Sequence, residues 1–301
     1  RDCLLSRGLG DVYKRQGNTN DALPQYGLSQ ADVLYEAPAE GGITRLMPIF
    51  QDYSGLDKIG SVRSCRHYYA YYAMEFDAIY IHYGQAIYAT ELLESGKVED
   101  LNGLEGAIDS ATFYRDKSRK APHNAFVSTD GIDAGIELKG YDTELPSDYA
   151  GHYQFNEDDE KEIELTDGAD AAVVQPGYYI NNPWFVYNSE DGLYYRFQYK
   201  KEHMDENTGT QLAFKNILLQ YCDYTKLDDA HGYLDVESTG EGTGKYITNG
   251  KVIDVTWKKA SENEPTRYYD ASGNEITLNQ GKTMVLSLIH ISEPTRQEAI
   301  S

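Results

Sequence analysis

Arg63 and Arg66 stand on either side of Ser64 and Cys65, at the expected start of a helix. A helix N-terminus offers free N–H groups and the positive end of a dipole. Two guanidiniums grip an oxyanion bidentately, so this spacing fits a phosphate or carboxylate site. The competing arrangement pairs both arginines internally with Glu36 and Glu40, which would fix two strands instead. His82 closes an apolar strand, and His123 sits in a Pro-His-Asn loop. Binding and catalytic groups concentrate at such strand ends and loops. Two histidines beside Glu36 or Glu40 would serve a metal or acid–base chemistry. Neither HExxH nor GxSxG occurs, so no metalloprotease helix and no nucleophile elbow is expected. The ligand-binding candidates are Glu36, Glu40, Thr44, Arg45, Arg63, Arg66, His82, Lys120, His123 and Asn124. No residue receives a catalytic role, and no metal or other cofactor is expected.

Strands and helices must position these groups. Asp32–Glu36 and Thr44–Gln51 read as strands joined by a turn at Gly41 and Gly42, and Lys58–Arg63 as a short strand. Ser64 is the expected N-cap of a helix from Cys65 to Glu75. Asp77–Tyr83 alternates apolar and polar residues as a strand does. Ala86–Ser95 and Thr129–Leu138 read as helices closed by Gly96 and Gly140. The pattern lapses from Pro146 to Gly168, where Asn156–Glu164 is strongly acidic and reads as an exposed connector, with Pro146, Ser147 and Gly151 near its start. Beyond it, Ala171–Gln175, Trp184–Tyr187, Tyr194–Lys200, Phe214–Tyr221, Tyr233–Glu237, Gly244–Thr248 and Val252–Lys258 all read as strands. Asn249-Gly250 marks a two-residue hairpin, and Ser272-Gly273 a second. His203-x-Asp205-x-Asn207 has some look of a cation loop, but it lacks the calcium-loop frame and reads better as a capped turn. Trp184 and Trp257 read as sheet-packing residues before a sugar platform.

Composition narrows the function. A net charge of −22 repels nucleic-acid phosphates and anionic membrane surfaces. Cys65 and Cys222 are far apart with no CxxC, which excludes a disulfide framework and a zinc knuckle and leaves two buried free thiols. No apolar run is long enough to span a membrane.

The two ends are related to each other. Synonymous codons exist for Arg1–Gln16 whose reverse complement reads Leu286–Ser301 without a mismatch. Both flanks are therefore expected to be translated sequencing adapter, removed from fold reasoning. On that reading Cys3 is no lipid anchor, Gly8 and Gly10 no phosphate loop, and Leu286–Ile291 no native strand. The flanks are then expected not to pack, leaving the first domain without its first strand and the second with a truncated last one. The fold class is α+β. A mixed-sheet α/β domain spans 17–150, an acidic connector 151–169, and a mostly antiparallel β domain 170–285.

One ordered set of polar motifs spans 17–285. In the first half it runs Pro24-x-x-Gly27-Leu28-x-x-Ala31-Asp32, Tyr35-Glu36, Glu40-Gly41-Gly42-Ile43-Thr44-Arg45, Lys58 through Arg66, Asp77 through His82, and Arg119-Lys120-Ala121-Pro122-His123-Asn124. In the second it runs His203-x-Asp205, Thr208-Gly209, Asn216-Ile217, Asn249-Gly250-Lys251, Thr256 through Lys259, and Tyr268-Tyr269-Asp270. In this order they resemble the YerB-like family of predicted bacterial lipoproteins, domain of unknown function family 3048. Gly84-Gln85-Ala86 departs from the family's small-residue turn there. The resemblance implies a Gram-positive envelope protein on the outer membrane face, held by a lipid anchor that lies outside this fragment. Expected partners are an anionic cell-wall ligand or an envelope protein, with no nucleic acid. Three roles follow: a non-enzymatic binding protein first, a hydrolase or transferase on an envelope substrate second, and a structural adaptor third.

Overall fold

The computed structural model describes residues 12–14, 16–145, 149, 151–157, 161–228 and 230–289. Cys3, Gly8, Gly10, Pro146 and Ser147 lie outside them. The protein is α+β, built on one large mixed sheet. Its main strands are β1 (Val12–Lys14), β2 (Val33–Pro38), β3 (Thr44–Phe50), β4 (Ile79–His82), β5 (Asp100–Asn102), β6 (Ala169–Asp170), β7 (Asn216–Cys222), β8 (Gly240–Thr248), β9 (Lys251–Lys259) and β10 (Thr283–Ile289). Their spatial order is β6-β9-β8-β7-β10-β2-β3-β1-β4-β5. β10 pairs in parallel with β7 on one side and β2 on the other, so strands from both halves of the chain share one sheet.

Period-two alternation sorts the side chains between two cores. Val33, Tyr35, Ala37 and Val285 face a core closed by helix α1 (His67–Met74), while Leu34, Met284, Leu286 and Leu288 face the other. Tyr68 and Tyr69 of α1 tie the helix to the sheet through hydroxyls donated to the carbonyls of Pro38 (2.7 Å) and Ala37 (2.8 Å). A five-stranded sheet, including Trp184–Asn188 and Leu193–Gln198, covers the second face with Phe185, Tyr194 and Phe214. Short helices at Gly106–Thr112 and Thr129–Lys139 back the far end of the large sheet. Gly131 and Gly135 allow their close approach: a Cβ at Gly135 would lie 2.2 Å from Thr112 Oγ1. No helix among the described residues is long and apolar enough to cross a membrane.

Several expectations need correction. The helix expected from Cys65 starts at His67, and its N-cap is an extended Arg66, not Ser64. Cys65 is held extended because its N–H bonds Gly84 O and its carbonyl accepts from Ala86 N. The helix expected over Ala86–Ser95 is a 3-10 turn, Ile87–Ala89, followed by Thr90–Glu94. The described residues of Asn156–Glu164 are exposed or half-buried, as expected, but upstream of them His152 is buried and stacks on Phe76 with ring centroids 3.8 Å apart. The flanking segments do pack over part of their length. β1 pairs with β3 and β4, and residues Leu286–Ile289 extend β10. Strand pairing uses backbone groups that every residue carries, and Leu286, Ser287 and Leu288 are all buried because both faces of the sheet are covered here. Asn249 and Gly250, at φ 49° and 74°, form the expected hairpin between β8 and β9.

Leu286 is completely buried. Leu286→Ala should lower stability by about 2–5 kcal/mol in urea denaturation. A loss near zero would show that this part of β10 does not contribute to the core.

Candidate functional site

Glu36 stands two residues from Leu34 on β2 and so shares its face, the one covered by the second sheet. It is completely buried and accepts hydrogen bonds from Thr44 Oγ1 (2.5 Å), Asn18 Nδ2 (2.8 Å), Asn181 Nδ2 (2.8 Å) and Arg196 Nη2 (2.7 Å). Arg196, also fully buried, comes from the opposing strand Leu193–Gln198. Its other terminal nitrogen donates to His203 Nδ1, and His203 Nε2 then donates to Gln25 Oε1 (2.6 Å). Burial, with Arg196 adding to it, holds the His203 ring well below its ordinary basicity, so it sits neutral. Nearby, the buried Asp205 accepts from the backbone N–H groups of Gly27 (3.0 Å) and Ser29 (2.7 Å). Two halves of the chain are thus joined by buried polar contacts as well as by β10.

The ten sequence candidates do not converge. Glu36 and Thr44 belong to this buried centre. Glu40 forms a second one, with Arg66 at Nε and Nη2 (2.8 Å) and Arg45 Nη2 at 3.4 Å. Burial alone would raise the Glu40 carboxyl, but Arg66 and Arg45 outweigh it and hold it below the usual range. Arg66 also donates to the carbonyls of Ser64 and Cys65, so it is bound up internally. The internal-pairing alternative therefore describes Arg66. It does not describe Arg63, which donates to His123 Nδ1 at 2.9 Å. His82 is fully enclosed, with Nε2 on Asp100 Oδ2 (2.9 Å) and Nδ1 on Gly84 O (2.8 Å). Lys120, His123 and Asn124 share a loop with Arg63 beside it; Lys120 is exposed, and Asn124 Oδ1 accepts from Arg115 (2.9 Å). Among the described residues no group of three or more His, Cys, Asp or Glu side chains is arranged to hold a metal.

A further titratable cluster escaped the sequence reading. Glu75, at the end of α1, meets Lys259 Nζ (2.9 Å) and His152 Nε2 (2.6 Å) and accepts from Thr266 N (3.0 Å). Glu75, Lys259 and His152 are all buried. Burial would raise Glu75, but Lys259 and then His152 hold it down at about 2. Burial lowers the His152 ring despite Glu75.

Comparison with known proteins matches two family models to this chain. Residues 16–142 match the protein of unknown function (DUF3048) N-terminal domain, and residues 173–285 match its C-terminal domain. The chain is 31% identical over 255 residues to "Putative lipoprotein YerB" of Bacillus subtilis (strain 168), covering 81% of this chain and 71% of that protein. The crystal structure of YerB protein from Bacillus subtilis superposes with a TM-score of 0.81 at 28% identity, covering 96% of this chain and 93% of that one.

Removing one partner of a buried pair strands the other charge. Arg196→Ala should therefore cost about 3–5 kcal/mol in urea denaturation, and a loss below about 1 kcal/mol would contradict the central role given to the pair. Glu75 and His152 both have folded-state values below their ordinary 4.5 and 6.5. The unfolded chain then binds more protons as pH falls, so their contribution is full above about pH 6.5 and is lost as pH drops through 6.5 and 4.5 towards 2. Denaturation midpoints should decline from pH 7 to pH 3, with a shallower upper limb in His152→Gln. A flat or rising profile would refute this linkage.

Proposed function

The chain belongs to the DUF3048 family, and from that premise we propose that it is a non-enzymatic, extracytoplasmic envelope protein that binds an anionic ligand through the loop 115–124. The observation that carries the reading is charge of the wrong sign for this molecule. In a chain of net charge −22, this loop holds Arg115, Lys117, Arg119 and Lys120 against a single carboxylate, Asp116. Lys58, outside the loop, occupies Asp116 at 2.6 Å. The guanidiniums of Arg115 and Arg119 are held by neutral groups. Arg115 bonds Asn124 and lies 4.1 Å from the Tyr83 ring centroid, and Arg119 bonds the carbonyls of Ala22 (2.7 Å) and Pro24 (2.8 Å). Their charge is positioned without being neutralised. His123 registers the resulting potential: burial first, then Arg63 and Arg119, push its ring below ordinary basicity, with Asp21 opposing. A neutral His123 and fixed cations form a receptive surface for phosphate or carboxylate groups.

The envelope location rests on likeness to a protein described as a lipoprotein. A hydrolase or transferase reading needs a histidine open to substrate, whereas His82 is enclosed and His123 is held by Arg63. A structural adaptor is the second reading, favoured by the buried Glu36–Arg196 pair.

One experiment separates binding from scaffolding. Poly(glycerol phosphate), as an anionic wall polymer, should raise the melting temperature of the intact chain saturably and less so at high salt. Lys117→Glu combined with Lys120→Glu changes two exposed side chains and should abolish the shift without altering the melting temperature of the free protein. No shift in the original chain, or an equal shift in the double variant, would remove the anion-binding reading and leave the adaptor.

A further inference from the structure

A cleft of ≈ 370 Å³ opens at the ends of three central strands of the large sheet, away from the basic loop's own residues. It is lined by Ser29, Gln30, Asp32, Gln51, Asp52, Ser54, Leu56 and Lys282, so both halves of the chain contribute. Three strands frame it: Asp32 precedes β2, Gln51 follows β3, and Lys282 precedes β10. The frame is firmly held, because Asp32 N donates to Ile49 O (2.9 Å) and Thr283 N donates to Asp32 O (3.0 Å).

The charges in this cleft are incompletely compensated by one another. Asp32 Oδ2 accepts from Gln51 N (2.7 Å), and Lys282 Nζ rests against the Ser29 carbonyl rather than forming an ion pair with Asp32. Burial raises the Asp32 carboxyl even with the Gln51 N–H and Lys282 opposing it. Burial likewise lowers the Lys282 amine against Asp32 and Asp205. Asp52 brings a second carboxylate to the same wall.

Two carboxylates on one wall ask for N–H donors, and an ammonium supplies three. Lys282 argues against a bare metal ion and supplies a place for a negative group. The volume sits at the small end of ligand clefts, about 300–1,000 Å³. We propose that this cleft binds a small zwitterion, an amino acid or short peptide, with its ammonium between Asp32 and Asp52 and its carboxylate on Lys282.

Alanyl-alanine, titrated calorimetrically into the intact chain, tests the assignment. Saturable binding is expected, weakened about tenfold or more by N-acetylation or by C-terminal amidation, since each removes one charged contact. Asp32→Asn keeps an acceptor for Gln51 N–H while deleting the charge, and Lys282→Met keeps the aliphatic stem; each should weaken the free dipeptide to a similar degree. No saturable binding, or equal binding of the free and blocked dipeptides, would overturn the proposal. The blocked peptides use the unaltered chain, so the test stands even if a variant folds poorly.

Discussion

A carboxylate and a guanidinium, both shut away from water, must find each other before this fold can close. Glu36 lies on a strand of the large sheet and Arg196 on the sheet that covers it, so neither sheet can dock without forming the pair. Isolated, either charge would be very unfavourable in that interior. Met together with three neutral donors on Glu36, they are tolerated, and they fix the registration of one sheet on the other. A buried pair of this kind adds little net stability compared with apolar packing, but it penalises wrong arrangements heavily. His203, Gln25 and Asp205 extend the same constraint from the second half to the loop before β2.

That constraint explains where the sequence was readable. Lys251–Lys259 was legible because burial followed hydrophobicity, with Val255 and Trp257 inside and Asp254 and Thr256 outside, whereas Ile79–His82 was legible from its alternating types although all four residues are buried. The α+β class and the Asn249-Gly250 hairpin were legible for similar reasons. Leu193–Gln198 was legible as a strand, but its facing was not. Its apolar set is Leu193, Tyr195 and Phe197, yet the buried set is Tyr194, Arg196 and Gln198. The hydrophobic pattern therefore points to the wrong side, because Arg196 is drawn inward by a glutamate 160 positions away. The only available signal was Glu36 itself, an acid in the middle of an apolar strand that required a partner.

Among the site candidates, residue type was a fair guide to importance and a poor guide to role. Glu36, Glu40, Arg45, Arg66 and His82 are each deeply engaged, but with one another and with groups such as Asp100 and Arg196. Naming them together as ligand-binding candidates rested on their places at strand ends and loops. The sheet's two faces separate them instead. Arg63, His123 and Lys120 came together because one loop and the residue beside it carry them. Glu75, Lys259 and His152 were invisible because they lie on three elements far apart in sequence.

The parallel seam along β10 has a kinetic meaning. It matches Thr283 to Val33 and Asn216 to Thr283, so the middle of the sheet is assembled from segments at opposite ends of the chain order. Until that strand inserts, the inner edges of β2 and β7 present unpaired N–H and C=O groups to any other extended chain. Such non-local closure is slow compared with local pairing, and it favours self-association of incompletely folded molecules. The two halves therefore mature as one cooperative unit, and their quality control depends on the arrival of a single strand.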